Sequence, residues 1–313
     1  MEKISRDRHL LRFYKYLFNI NEWSMFIKRL ISICAISILL FVLWIFPISM
    51  FVAPFYSITI DKTTKPVLYK NTIGKTTVNA VKQSITDLLS EGLVTNFVGV
   101  KLYIDNKYYE QIGQIEMIRI AINTLENHLA RNRGTGGANK YLVQARSDIY
   151  ADYELSIFTS YSTRIKQASK NIDKYILQLE LDKLKDMNMK EAVFIVNSDN
   201  LAEVFDKLKQ QLQTNIMIKS TFITEDDKFY RLKGNLIAMH KFLNGLDIDF
   251  KTKMLDKTSY NENFKPIISL MKNAISQNHL VILESLGHVS KLEKEVNLIA
   301  QKLGELRDKL KNG

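Results

Sequence analysis

The sequence predicts a mainly α-helical protein: one N-terminal transmembrane helix followed by a soluble, bundle-like domain of several helices. Three features predict it. No charged residue occurs from Leu30 to Ile60, and residues 30–46 (LISICAISILLFVLWIF) are almost wholly apolar, close to the roughly 20 residues that a bilayer core requires. The 313 residues contain only four prolines and twelve glycines, a composition that leaves long helices uninterrupted. Beyond the apolar stretch, hydrophobic residues recur at steps of three and four, as they do on helices that bury one face.

The apolar stretch is longer than the roughly 7–15 residues of a secretory signal, and no small-residue cleavage site follows it. It is therefore expected to remain as an anchor over residues 30–56. Pro47 and Pro54 lie near its outer end, and Trp44 and Tyr56 suit the aromatic interface. Residues 1–29 form a basic tail with Lys3, Arg6, Arg8, Arg12, Lys15, Lys28 and Arg29. A short basic flank stays on the cytoplasmic side, whereas long domains cross largely regardless of charge. This predicts a single-pass membrane protein with residues 57–313 outside the cytoplasm. Leu10, Leu11, Phe13, Tyr14, Leu17 and Phe18 interleave with the tail's cations, a pattern that fits either a segment lying on an anionic leaflet or a plain stop-transfer flank.

In the outer region, Val78, Val81, Ile85, Leu88 and Leu89 mark a first helix. Residues 94–104 (VTNFVGVKLYI) are β-branched and aromatic, which suggests a short strand or extended segment. Ile112, Ile115, Ile118, Ile122, Leu125 and Leu129 mark a long helix that ends in residues 131–139 (RNRGTGGAN), a loop or hinge that would divide the domain into two subdomains near 131–140. Residues 141–160 show weak periodicity. Ile165, Ala168, Ile172, Tyr175, Ile176 and Leu179 mark the next helix, and residues 193–196 read as extended or turn. Ser198 or Asp199 is expected to cap a helix carrying Leu201, Val204, Phe205, Leu208 and Leu212. Thr224 with Asp227 opens another, with Phe229, Leu232, Leu236, Met239, Leu243 and Leu246 on one face and Phe242 widening it. Further helices cover about 264–280 and 288 to the end.

The last helix is the most regular. Val289, Leu292, Val296, Ile299, Leu303, Leu306 and Leu310 make a heptad seam. Leu292, Val296, Ile299, Leu303 and Leu306 are therefore candidates for a partner-interaction seam, in a homo-oligomer or with another protein. The same pattern serves equally to close an antiparallel bundle from within.

The chain resembles an uncharacterised bacterial inner-membrane family, domain of unknown function 2333. Residues 74–80 (GKTTVNA), 129–133 (LARNR), 198–201 (SDNL) and 226–234 (DDKFYRLKG) carry the resemblance, the last leading into residues 238–250. It implies an envelope protein with a helical periplasmic domain, and the family brings no established activity or binding residues.

No catalytic motif is apparent. Residues 74–77 (GKTT) look like the end of a phosphate-binding loop, but that loop needs a glycine where the chain has Tyr69, and helix-capping residues are the ordinary explanation. Arg131, Arg133, Gly134, Gly136 and Gly137 are candidates for an anion nest, with a plain interhelical turn as the simpler reading. His9, His128, His240, His279 and His288 have no metal-ligand spacing. Tyr230, Arg231, Lys233, His240, Asp247 and Asp249 would line a pocket only if partner helices converged on them. The single cysteine, Cys34, lies in the apolar stretch, so no disulfide supports the outer domain. The net charge is +11, but the Lys and Arg residues are spread along the helices and mixed with Asp and Glu, which argues against nucleic acid as a partner. The expected partners are the lipid bilayer and a membrane or periplasmic protein, with no cofactor or metal. The expected role is a non-enzymatic envelope scaffold or accessory factor; a ligand-binding sensor or envelope-binding module is the alternative.

Overall fold

A computed structural model describes residues 27, 29–40, 72–94, 98–131, 137–151, 160–182, 192–195, 197–221, 224–250, 260–277, 282 and 286–312. The chain divides into two compact units, Met1–Phe51 and Val52–Gly313. In the first, residues 29–40 are helical, and Leu30, Ile31, Ile33, Ile36, Ile38, Leu39 and Leu40 are all exposed. Among the described residues no helix is long and apolar enough to cross a membrane. The rest of the predicted anchor, residues 41–56 with Trp44, Pro47, Pro54 and Tyr56, lies outside the described residues, as does the amphipathic tail.

The second unit is helical, with no strand among its described residues. Its helices are α1 (Lys75–Glu91), α2 (Val98–Thr124), α3 (Lys140–Ile149), α4 (Ser160–Asp182), α5 (Ser198–Ile216), α6 (Glu225–Phe250), α7 (Lys265–Ser276) and α8 (His288–Asn312). A π-helical turn, Leu125–Leu129, extends α2, and another, Tyr260–Phe264, leads into α7. Helices from both sides of the 131–140 loop belong to this one unit.

Local structure departs from the sequence reading in three places. The strand suggested at 94–104 is replaced from Val98 onward by helix, because adding a residue to an established helix gains a hydrogen bond without repeating the cost of nucleation, which overrides a weak β preference. The poorly periodic stretch after Tyr141 contains α3, whose start is fixed by Asn139, its side chain accepting the Tyr141 N–H at 3.0 Å. The cap of α5 is Asn197 rather than Ser198 or Asp199, since the Asn197 Oδ1 accepts the Asn200 N–H at 2.8 Å. The start at Thr224 is as expected: its carbonyl accepts the Lys228 N–H, the first bond of α6.

Two helix pairs dominate the packing, α2 with α6 and α5 with α8. Helix α6 also touches α1, α5, α7 and α8, so it is enclosed on nearly every side. Its predicted face of Phe229, Leu232, Leu236, Met239, Leu243 and Leu246 is buried, and so are Ile237, Ala238 and Phe242 outside that face. Helices α3 and α4 pair with each other, and α4 packs on α1.

Candidate functional site

The polar residues of α6 concentrate where it crosses α2. Gly113 of α2 faces the Arg231 carbonyl of α6, and Gly234 of α6 faces the Glu110 carbonyl of α2, so closely that a Cβ at either glycine would collide with main chain. This reciprocal contact brings the two backbones together and leaves side-chain room only at the margins. There, Glu116 of α2 pairs with Arg231, whose Nε lies at 3.2 Å. Glu116 also accepts from the side-chain amides of Asn215 of α5 at 2.9 Å and Asn235 of α6 at 3.5 Å. One carboxylate therefore ties together three helices. On the other margin, Lys107 pairs with Glu91, and Glu110 lies 3.7 Å away. Gln111 accepts the Val94 N–H at 2.8 Å and donates to the Gly92 carbonyl at 2.7 Å, which fixes the connection between α1 and α2.

The polar row predicted on α6 does not converge on one pocket. Arg231 turns to Glu116 on α2, and the His240 ring lies 3.2 Å from the Asn244 amide of the same helix; Lys241, outside that row, pairs with Asp87 on α1. Lys233 donates to the Gln277 carbonyl at 2.9 Å just beyond α7. A cation at a helix C-terminus is favourable because unpaired carbonyls gather there. Asp249, at the far end of α6, reaches the start of α1. Its Oδ2 accepts both the N–H and the hydroxyl of Thr77 at 2.7 Å.

That contact explains the GKTT segment. Gly74 sits at the N-cap with φ 84° and supplies no side-chain cap, a backbone state that suits glycine. The cap comes from Asp249 instead. The absence of a side chain at Gly245 lets α6 approach the Thr77 backbone and bring the carboxylate within reach. The anion-attracting helix end is thus filled by the chain's own carboxylate, and capping accounts for the motif. Burial raises the Asp249 pKa, outweighing the hydrogen bonds from Thr77 and Thr76 that lower it.

A buried carboxylate, Glu126, lies in the π-helical turn with Arg146 Nε of α3 at 2.7 Å. Burial raises its pKa against the attraction of Arg146 and, more weakly, Arg131. Arg119 of α2 donates to the Ile149 and Ala151 carbonyls at 2.9 and 3.1 Å and stacks on Tyr150, which docks the C-terminal end of α3. Of the proposed anion nest, Arg131 and Gly137 are exposed, and Arg133, Gly134 and Gly136 lie outside the described residues.

Leu292, Val296, Ile299, Leu303 and Leu306 are each 0% exposed. They lie in the domain's own core on α8, which packs against α5. The seam closes the bundle from within, so a partner meeting α8 would touch other residues. Burying each leucine removes apolar surface worth about 2 kcal/mol, reason enough for the chain to use the seam itself.

Sequence reasoning missed Gly113, Gly234, Glu116, Asn215 and Asn235. The glycines carried a signal, because an isolated glycine within a strong helical pattern often has a packing cause. The Glu116 network carried none, since polar residues at helical spacing look solvated until the fold places them. Among the described residues no group of three His, Cys, Asp or Glu side chains is placed to hold a metal.

A family model described as an uncharacterized protein conserved in bacteria, DUF2333, matches residues 19–214, more than half of the chain. The match includes the apolar stretch and ends within the last turn of α5. Residues 74–80, 129–133 and 198–201 fall inside it, and 226–234 falls beyond it. No curated protein and no solved structure matches the chain.

Proposed function

The chain belongs to DUF2333, a bacterial family of uncharacterized proteins, and from that premise we propose that it is a single-pass inner-membrane protein. In this reading the N-terminal tail is cytoplasmic and the helical domain is periplasmic. The domain acts through protein contacts as a non-enzymatic scaffold or accessory factor of the envelope. The observation that carries the reading is the helix at 29–40, whose isoleucines and leucines are exposed all round. A helix apolar on every side needs protein or lipid around it, and its sequence continues without charge to Ile60. The matched residues begin ahead of this stretch, which makes it part of the family pattern.

A scaffold role fits a domain whose charged side chains at the α6 contacts are held by the domain's own groups. Arg231, Lys233 and Asp249 each engage another part of the domain, which gives the sensor alternative no support. Tethering raises the domain's effective concentration for neighbouring membrane proteins. Alkaline carbonate extraction followed by protease treatment of spheroplasts tests the topology. The full chain should stay in the membrane fraction and lose its domain to external protease; release by carbonate would overturn the anchor. Crosslinking in intact cells, with an anchor-only control, should capture partners that require residues 57–313. Self-crosslinks alone would overturn the scaffold.

A further inference from the structure

The outward face of α4 carries a pattern that the bundle does not use. At 3.6 residues per turn, Lys166, Lys170, Lys174, Leu177 and Leu181 fall within an arc of about 80°, and all are exposed, Leu177 at 55% and Leu181 at 60%. The acidic residues at the edge of this arc lean toward α1: Asp173 pairs with Lys82 at 2.6 Å and Glu180 pairs with Lys75. Among the described residues no carboxylate pairs with Lys166, Lys170 or Lys174. The outward field of the face is therefore basic.

Helix α3 adds to the patch. Asn139, at its N-cap, donates to Gln178 of α4 at 2.9 Å, which holds the start of α3 against this part of α4. Tyr141 then lies between two ammonium groups, with Lys140 Nζ at 5.1 Å and Lys174 Nζ at 5.7 Å from the ring centroid. Lysines beside exposed leucines, with a tyrosine at their border, match the chemistry of a membrane interface. Leucine enters the acyl boundary, tyrosine sits at headgroup level, and lysine stems extend toward phosphates.

We propose that the α3–α4 face, formed by Lys140, Tyr141, Lys170, Lys174, Leu177 and Leu181, docks the domain on an anionic lipid surface. The proposal rests on the anchored reading above and specifies how the tethered domain is held. Docking would restrict which sides of the domain are open to a protein partner. Two leucines bury too little for tight binding alone, but tethering makes a weak contact effective, and anionic headgroups attract each nearby lysine.

The test uses the full chain with Cys34→Ser and Leu177→Cys, labelled at the new thiol with an environment-sensitive fluorophore. It is reconstituted in nanodiscs of phosphatidylcholine alone or mixed with phosphatidylglycerol. The label should shift to the blue in anionic discs only, and each of Lys140, Lys170 and Lys174 changed to Gln should lower the docked-to-free ratio about fivefold. Circular dichroism checks that these surface variants fold. Incorporation with the same emission in both disc types overturns lipid docking while the anchor stands. Failure to incorporate overturns the anchor, and phosphatidylglycerol vesicles added to the unincorporated chain then decide docking alone: a shift supports it and none overturns it. A shift with polyglutamate but not with anionic lipid assigns the face to an acidic protein and overturns the proposal.

Discussion

The two principal helix pairs solve the same packing problem by opposite means. Helices α5 and α8 meet through a ladder of Leu, Val and Ile, and their separation is set by side chains. Helices α2 and α6 meet where glycine faces backbone, with Glu116, Arg231, Asn215, Asn235, Lys107 and Glu91 closing the margins. An apolar seam tolerates small changes of volume because neighbouring side chains adjust. Backbone packed on backbone has no such freedom, and a buried charged margin is satisfied in only one register.

The largest effect should follow from Gly234→Val. Its branched Cβ must enter the space of the Glu110 carbonyl, so α2 and α6 have to separate, at about 4 kcal/mol. Urea unfolding followed by far-ultraviolet circular dichroism measures it, and a loss under about 1 kcal/mol would mean that the close approach does not hold the pair. Leu303→Ala in the other pair removes a fully buried side chain and should cost about 3 kcal/mol. Below both lies Glu116→Ala. It leaves Arg231, Asn215 and Asn235 without their shared acceptor, but the Glu116 and Arg231 side chains are 16% and 29% exposed, so solvent lowers the loss to about 2 kcal/mol. If Glu116→Ala proves neutral, the charged margin is ornamental and glycine contact alone defines the crossing.

The Asp249 cap separates structure from charge. Replacing Asp249 with Ala should cost about 1 kcal/mol, as loss of a cap does. The folded state holds the Asp249 proton more tightly than the unfolded chain, where its pKa is near 3.8. Its protonation therefore adds stability that is complete below that value and is lost as pH rises through the raised one. Asp249→Asn removes this dependence, so the stability of the native chain relative to Asp249→Asn should decline as the pH rises from below about 3.8 through the raised pKa. An increase over that range would reverse the assigned direction.

These differences follow what a sequence can display. The α8 seam was legible because Leu292, Val296, Ile299, Leu303 and Leu306 repeat with the period of the contact; which surface they meet was not, because bundle and oligomer impose the same period. Helix α3 was missed although Leu142, Ala145 and Ile149 are spaced at three and four and are buried: ten residues are too few for the period to stand out. The crossing was illegible at Glu116, since its partners Asn215 and Arg231 lie about a hundred residues away. Asp249 could be seen as a polar residue on a helix, but its role depends on Gly245 and on the cap that Gly74 lacks.

Glycine itself gives the finest discrimination between the two pairs. Gly304 of α8 is buried like Gly113 and Gly234, yet a Cβ there would meet the end of the Lys209 side chain, with Nζ at 3.2 Å and Cδ and Cε at 3.6 Å. An ammonium on a flexible stem can swing aside, whereas a main-chain carbonyl cannot. Glycine inside a helix is about 1 kcal/mol less favourable than alanine. Gly304→Ala should therefore recover part of that and raise the melting temperature by about 2 °C. Gly113→Ala, the same chemical change, should lower stability by about 2 kcal/mol, because the collision with the Arg231 carbonyl exceeds the gain in helix propensity. Opposite signs would establish that backbone contact, rather than burial, distinguishes the α2–α6 crossing. Matching losses would mean that Lys209 is held as firmly as a carbonyl, and the α5–α8 pair would then be no more adaptable than the crossing.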